Sequence, residues 1–462
     1  MPHAWGMTAP NRPKPSAPPA TPPPKSGPKQ PTPILSRVLP DGTLIEALHD
    51  AARGITQLAI RAPSGRITLA GHHDLPSGER LVAYSAANNL LASECVLLPS
   101  AVGPYDGKAK LVADIAAYIH LYVDLSPQFE QLAAHYVLLS WVHDSFGELP
   151  YLRFRGDYGT GKTRALLAVG SICYKPIFAS GASSVSPIFR LLDAFGGTLL
   201  LDEADMRFSD ATADLTKILN NGNVKGLPVL RTVSNRHNEL HPQAFKVFGP
   251  KLVAMRERFA DAALESRFLT EETGARPLRA DIAVHLPARM KEEARDLRNR
   301  LLAWRFAARG EVAVLPDRAV AGLSPRGNQT VLALLSLIDD AALRRRLSDE
   351  LLALEANAAA QRAASPKAIL ARVVHALAVT AETPWLGLTE ITSGYNAIIA
   401  ERGEQPLTVK SVGWLVRSQL GLVTMKTRGV YVIPQGERAK IDALALRYGL
   451  DASGAVPETQ AT

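Results

Sequence analysis

Gly156-Asp157-Tyr158-Gly159-Thr160-Gly161-Lys162-Thr163 decides how this chain is read. The spacing is that of a phosphate-binding loop. Glycines at 156, 159 and 161 let the backbone turn tightly and aim its N–H groups at phosphate oxygens. Asp157, Tyr158 and Thr160 complete the loop. Lys162 would reach the terminal phosphates, and the Thr163 hydroxyl would ligate Mg²⁺. Such a loop requires a strand before it and a helix after it. Residues 151–155 read as the strand. Residues 163–169 read as the helix, whose positive end points at the same anion.

Downstream lies Thr198-Leu199-Leu200-Leu201-Asp202-Glu203. This is an apolar run of buried-strand length that ends in adjacent acids. Asp202 would hold Mg²⁺ together with Thr163, and Glu203 would orient or deprotonate an attacking water. A phosphate loop followed by an acid pair at domain-scale spacing implies an α/β fold that binds and hydrolyses ATP.

Composition sets the frame. The chain has 462 residues, of which 47% are apolar, enough for two or three domains with real cores. The net charge is +8, but residues 1–37 hold Arg12, Lys14, Lys25, Lys29 and Arg37 and no acid. The remainder is only mildly basic, so bulk charge argues weakly for nucleic acid. Two cysteines cannot build a four-Cys zinc site or a disulfide framework, and two thiols in a reducing cytosol are expected. His72-His73 and Glu94-Cys95 lack metal-ligand spacing. No apolar run reaches the roughly eighteen residues of a membrane span, and no apolar signal core opens the chain. A cytoplasmic protein without a membrane partner is expected.

Residues 1–33 hold twelve of the thirty-three prolines and read as an extended, solvated tail. Short strand-like runs separated by turns make 34–108 a small mixed α/β accessory domain. Residues 109–146 read as a connector of two amphipathic helices. The nucleotide core spans 147–286, with further strands expected over 229–233 and about 245–254. Amphipathic patterns make 287–354 a helical lid. Ala-rich 355–366 reads as a linker. Residues 367–434 give three helices, then strands at 422–424 and 430–433, the layout of a winged helix. Residues 435–462 read as a helix and a frayed tail. Trp304, Trp385 and Trp414 fall in apolar patterns and read as core.

The order of these parts resembles the AAA+ ATPases, and among them the helicase-like ATPases of phages and mobile elements in the MCM-like branch. The implied fold is a P-loop AAA+ core with a helical lid, an accessory region and a C-terminal winged helix. Ser266-Arg267-Phe268 is similar to the segment that carries the arginine finger, which in that family reaches a neighbouring subunit's nucleotide. Ser324-Pro325-Arg326 is similar to the segment of the second sensor. The resemblance therefore implies catalytic roles for Arg267 and Arg326 and a ring, expected to be a hexamer. It departs at the strand ending near Ala254, which should carry a neutral polar first sensor. Here Met255-Arg256 follows, so either Arg256 substitutes or the strand register is shifted.

Residues 222–249 hold Lys225, Arg231, Arg236, His237, His241 and Lys246 against the single acid Glu239. The resemblance implies a hairpin here that enters the ring's pore. Positive groups on such a projection would neutralise the phosphates of single-stranded DNA without reading bases. Residues 408–434 hold Lys410, Arg417, Lys426 and Arg428 and no acid, as expected of a winged helix on duplex DNA. The leading expectation is an ATP-driven DNA helicase or translocase used to start replication of a phage or mobile element. The alternatives are an ATP-switched initiator that does not unwind and an AAA+ remodeller of proteins.

Overall fold

Residues 32–83 form two small sheets, set by short β-rich runs between glycine turns. In the computed structural model the described residues are 30–181, 183–202, 210–234, 240–259 and 261–448. They divide into two units, Met1–Ala313 and Val314–Thr462. In the first, β2 (Ser36–Val38), β3 (Leu44–Asp50), β4 (Ile55–Arg61) and β5 (Ile67–Ala70) make an antiparallel meander. A smaller sheet, ordered β1-β7-β6, joins β1 (Thr32–Ile34), β6 (His72–Asp74) and β7 (Arg80–Ala83). The proline-rich tail expected over 1–33 thus ends earlier: Thr32 and Pro33 already pair with Leu81 and Val82. Residues 1–29 lie outside the described residues.

This N-terminal region is not a separate domain. Leu35, Ile45, Leu58 and Leu81 share one apolar cluster with Ile177, Phe189, Leu199 and Phe245 of the nucleotide core. After a single-turn helix, α1 (Asn89–Ala92), the chain covers the edge of the central sheet: the Phe178 amide donates to the Cys95 carbonyl at 3.0 Å. An otherwise open strand edge is thereby paired.

Two helices follow, α2 (Lys108–Tyr122) and α3 (Pro127–Val142). Ser126 caps α3 and Pro127 opens it, a favoured arrangement. From Leu132 to Val142 every residue of α3 is buried, so the expected connector is a core helix.

The central sheet is five-stranded and parallel throughout. Its strands are β8 (Tyr151–Arg155), β9 (Pro176–Ser180), β10 (Thr198–Asp202), β13 (Lys251–Met255) and β14 (Phe268–Glu272), in the order β14-β8-β13-β10-β9. Two of its inner strands, β10 and β13, read as near-continuous apolar runs because both faces are covered. The connecting helices are α4 (Lys162–Ser171), α5 (Val185–Phe195), α6 (Asp210–Asn221) and the one-turn α7 (Ala262–Glu265). Gly170 lets α4 approach the sheet: a Cβ there would sit 2.5 Å from the Leu200 Cδ1. The strand expected over 245–254 is two elements. An antiparallel hairpin of β11 (Val229–Ser234) and β12 (Leu240–Phe245) precedes β13. The fold is mixed α/β, built on a parallel five-stranded sheet.

The expected lid over 287–354 is divided. Its first helix, α8 (Arg289–Ala308), belongs to the first unit and packs on α2, α3 and α4. The reason is two buried arginines. Arg298 donates to the Ser171 carbonyl at 2.7 Å. Arg305, 1% exposed, donates to Glu46 Oε1 at 2.7 Å and to both Asp144 carboxylate oxygens at 2.8 and 3.0 Å. Tyr174 donates its hydroxyl to Glu46 at 2.8 Å. Burial pushes the Asp144 carboxyl up, but Arg305, then His143 and Arg309, hold it well below the usual carboxylate range.

The second unit is built from α9 (Pro325–Leu335), α10 (Ala341–Ala363), α11 (Pro366–Thr380), β15 (Trp385–Gly387), α12 (Leu388–Ala400), α13 (Val409–Ser418), β16 (Met425–Thr427), β17 (Val430–Pro434) and α14 (Arg438–Arg447). The expected linker at 355–366 is mostly helix, because alanine is the strongest helix former and extends α10. The strand expected at 422–424 lies three residues later, at β16. A strand that the sequence reading lacked, β15, completes an antiparallel sheet ordered β15-β17-β16. Residues 449–462 lie outside the described residues. Among the described residues, no helix is long and apolar enough to cross a membrane.

The Arg305 network makes a stability prediction. Arg305→Met leaves the buried Glu46 carboxylate without its cation and Asp144 with Arg309 alone, and should cost about 3–5 kcal/mol in denaturant unfolding. A loss below about 1 kcal/mol would show that the network is dispensable.

Candidate functional site

The loop 156–161 leaves the C-terminal end of β8 and enters α4 through Gly161, which has φ +87°. Gly159 is also left-handed, at φ +74°. A side chain would be strained at either position. Gly156 is required for a different reason. A Cβ there would lie 2.4 Å from the Thr273 carbonyl oxygen and 2.7 Å from Thr160 Oγ1.

That contact reveals a residue the sequence reading missed. Thr273 follows β14, and its amide donates to the Arg155 carbonyl at 2.6 Å. Its hydroxyl lies 2.8 Å from that of Thr160. The chain after β14 therefore buttresses the loop from behind. The Thr273-Gly274 turn after a strand-like run was the available signal.

Lys162 Nζ donates to the Asp157 carbonyl at 2.5 Å, so the ammonium sits over the loop itself. The Thr163 hydroxyl donates to Asp202 Oδ1 at 3.1 Å, joining the loop to the end of β10. A hydroxyl and a carboxylate side by side are hard oxygen donors suited to Mg²⁺. The glycine cradle, the ammonium and this oxygen pair fit a magnesium-bound nucleoside polyphosphate. Glu203, the expected general base, lies outside the described residues, so only the first acid of the pair is placed.

Arg267 stands at the other end of the sheet. Its neighbour Phe268 pairs with Tyr151, the first residue of β8, whereas the loop follows the last. Five strand residues separate the two levels, roughly 17 Å at about 3.3 Å per residue. Arg267 cannot serve its own loop across that distance. Its guanidinium bonds to Asn220 of α6 and to the Ala263 carbonyl. Arg326 is in the second unit, exposed in the first turn of α9.

Of the expected DNA contacts, Arg236 and His237 lie outside the described residues. The others are distributed unevenly. Arg231 is ion-paired with Asp214 at 2.9 Å and its guanidinium lies over the Phe189 ring, so it packs onto the domain. Lys225 is anchored at the hairpin's root, donating to the Asp144 carbonyl at 3.0 Å. Lys246 is exposed. One face of the hairpin, Leu230, Thr232 and Ser234 opposite Ala244, Pro242 and Leu240, is exposed and uncharged. The hairpin is rooted by Lys251, whose buried ammonium donates to the carbonyls of Gly222, Val247 and Gly249 at 3.2, 2.9 and 3.0 Å. Burial pushes its pKa down to about 7.

In the second unit, Lys410 and Arg417 are exposed on α13 and Lys426 and Arg428 lie on the β16–β17 hairpin. Arg428 and Gly429 both have positive φ, +47° and +88°, as a two-residue hairpin turn requires. Trp414 corrects an expectation. It is 57% exposed, because Val412 and Val416 bury the opposite side of α13. Trp304 is buried as expected, and Trp385 is half-buried.

No protein-family model matches the chain. No curated protein matches it either. Solved structures similar to it include helicases. The apo C-terminal region of NrS-1 is similar over 84% of this chain and 96% of that one, at 11% identity and a TM-score of 0.38. The active helicase Cch of SCCmec type IV is similar over 89% and 95%, at 12% identity and a TM-score of 0.36. The JCV helicase is similar over 53% and 62%, at 15% identity and a TM-score of 0.23. At these scores the likeness has no weight of its own, and the site stands on its geometry.

The loop's fit generates a prediction. Gly156→Ala should push Thr273 and Thr160 off the loop and weaken binding of a fluorescent ATP analogue by about tenfold or more, the effect of a modest overpacking strain. Unchanged affinity in a normally melting protein would show that the cradle tolerates a Cβ.

Proposed function

We propose that this chain is an ATP-driven motor acting on DNA, a helicase or translocase that works as a ring, with replication initiation of a phage or mobile element as its setting. The observation that carries the reading is the Thr163–Asp202 hydrogen bond at the mouth of a glycine cradle that already holds a lysine ammonium.

Within that reading, Lys162 neutralises the β- and γ-phosphates of ATP, while Thr163 and Asp202 hold Mg²⁺, which would offset charge on the transferred phosphoryl group. Glu203 positions and deprotonates the attacking water. Arg267 supplies positive charge to a neighbouring subunit's site, which its place at the far end of the sheet favours. Arg326 keeps the second-sensor role on the AAA+ resemblance alone. The β11–β12 hairpin contacts single-stranded DNA in the pore of a hexamer. The helix, strand, helix, helix, strand, strand order of 366–434 supports a winged helix on duplex DNA, through Lys410, Arg417, Lys426 and Arg428.

The uncharged hairpin face with exposed Leu230 and Leu240 favours a second reading, in which the pore grips protein. One assay separates the two. ATP turnover should rise with single-stranded DNA and not with an unfolded protein. The reverse response would assign a protein remodeller, and no response to either would leave an ATP-switched initiator. Glu203→Gln should keep ATP binding and lose turnover by about 100-fold or more. Wild-type turnover would remove Glu203 from the chemistry.

The trans role of Arg267 has its own test. Arg267→Ala and Lys162→Ala subunits, each inactive alone, should regain activity when mixed. Absence of rescue at every ratio would refute action between subunits.

A further inference from the structure

Of the two buried arginines on α8, only one forms ion pairs. Arg305 holds Glu46 and Asp144. Arg153 in β8, 3% exposed, likewise holds Glu265 through two nitrogens. Arg298 is 6% exposed, yet its hydrogen bonds go to backbone carbonyls, Ser171 at 2.7 Å and Leu98 at 3.4 Å. Among the described residues, its Nη2 has no hydrogen-bond partner, and no carboxylate comes within ion-pair distance of the guanidinium. Burial pushes its pKa down to about 10, so it is still charged at neutral pH. A buried cation without an anion is costly.

Arg298 also lines a cavity of about 770 Å³, within the roughly 300–1,000 Å³ of small-molecule sites. Leu97, Leu98, Leu167, Phe178 and Met290 make its walls largely apolar. The acids on its lining are engaged or solvated: Glu94 is paired with Lys291, Asp50 with Arg53 at 3.6 Å, and Glu292 is exposed. The cavity is separate from the phosphate loop, none of whose residues lines it. The Ser171 contact puts Arg298 at the last residue of α4, roughly 14 Å along the helix from Lys162 at about 1.5 Å per residue.

We propose that this cavity binds a small ligand with an apolar body and one carboxylate, the chemistry of a medium-chain fatty acid, and that the carboxylate accepts from the free Nη2 of Arg298. The N–H groups of a guanidinium suit a carboxylate, and the apolar walls take the body. A monoanion fits better than a dianion. The guanidinium already serves two carbonyls, and the end of α4 that supplies one of them carries partial negative charge. The site does not depend on the ATP reading.

The test titrates octanoate, octanol and octyl phosphate into full-length wild type, Arg298→Met and Leu97→Trp by calorimetry, with a melting curve for each protein. Wild type should bind one octanoate per chain, about tenfold or more tighter than octanol, the effect of a charge-assisted hydrogen bond. Arg298→Met should lose that preference and bind the two alike. Leu97→Trp, which fills part of the cavity and keeps Arg298, should weaken octanoate and octanol together by about tenfold. Octanoate that does not bind wild type, or binds it no better than octanol, would overturn the proposal even if Arg298→Met does not fold. So would an undiminished preference for octanoate in a folded Arg298→Met, or tighter binding of octyl phosphate than of octanoate. Binding unaffected by Leu97→Trp would put the ligand outside the cavity and overturn it equally.

Discussion

A guanidinium shut away from water must find carboxylates, and Arg305 finds two. Its partners are far apart in sequence: Glu46 is in β3, and Asp144 follows α3. Leaving any of them unpaired in the interior would cost several kcal/mol. The network therefore permits one arrangement of β3, α3 and α8. Nearby, Arg298 of α8 holds the last turn of α4 through the Ser171 carbonyl, and Trp141 of α3 donates to the Ile172 carbonyl at 3.0 Å. The helix that begins at the phosphate loop is thus anchored at its far end by elements from both sides of the sequence.

The loop was legible because its signal is local. Glycine spacing, a lysine and a hydroxyl specify the turn without help from elsewhere. The apolar runs at 198–201 and 251–254 were equally legible, since strands buried on both faces leave little else to consider. What failed to show was long-range. Charge counting assigned Arg231 to DNA, but counting cannot see that Asp214 comes to meet it. Amphipathic pattern put α8 in a lid, because a helix with many arginines reads as half-solvated until two of them prove to be buried and paired. The N-terminal strands read as a domain because nothing in their own sequence announces that their apolar face belongs to the neighbouring sheet.

Trp414 is a different kind of miss. Val412 and Val416 lie four residues apart and share one face of α13, so a residue midway between them points away. The pattern was present, but a large apolar side chain was taken as core by type rather than by angle. Its exposure beside Lys410 and Arg417 gives the second unit a surface that is both basic and aromatic.

β13 is fully buried and flanked by parallel strands on both sides. Arg256 follows one of its ends, and Lys251, clamped onto the root of the hairpin and the end of α6, begins the other. A strand held this way behaves as a pushrod rather than a hinge. It passes on a displacement along its length without amplifying it. Any displacement carried to the hairpin by this route is therefore no larger than the shift at the phosphate-loop end of the strand.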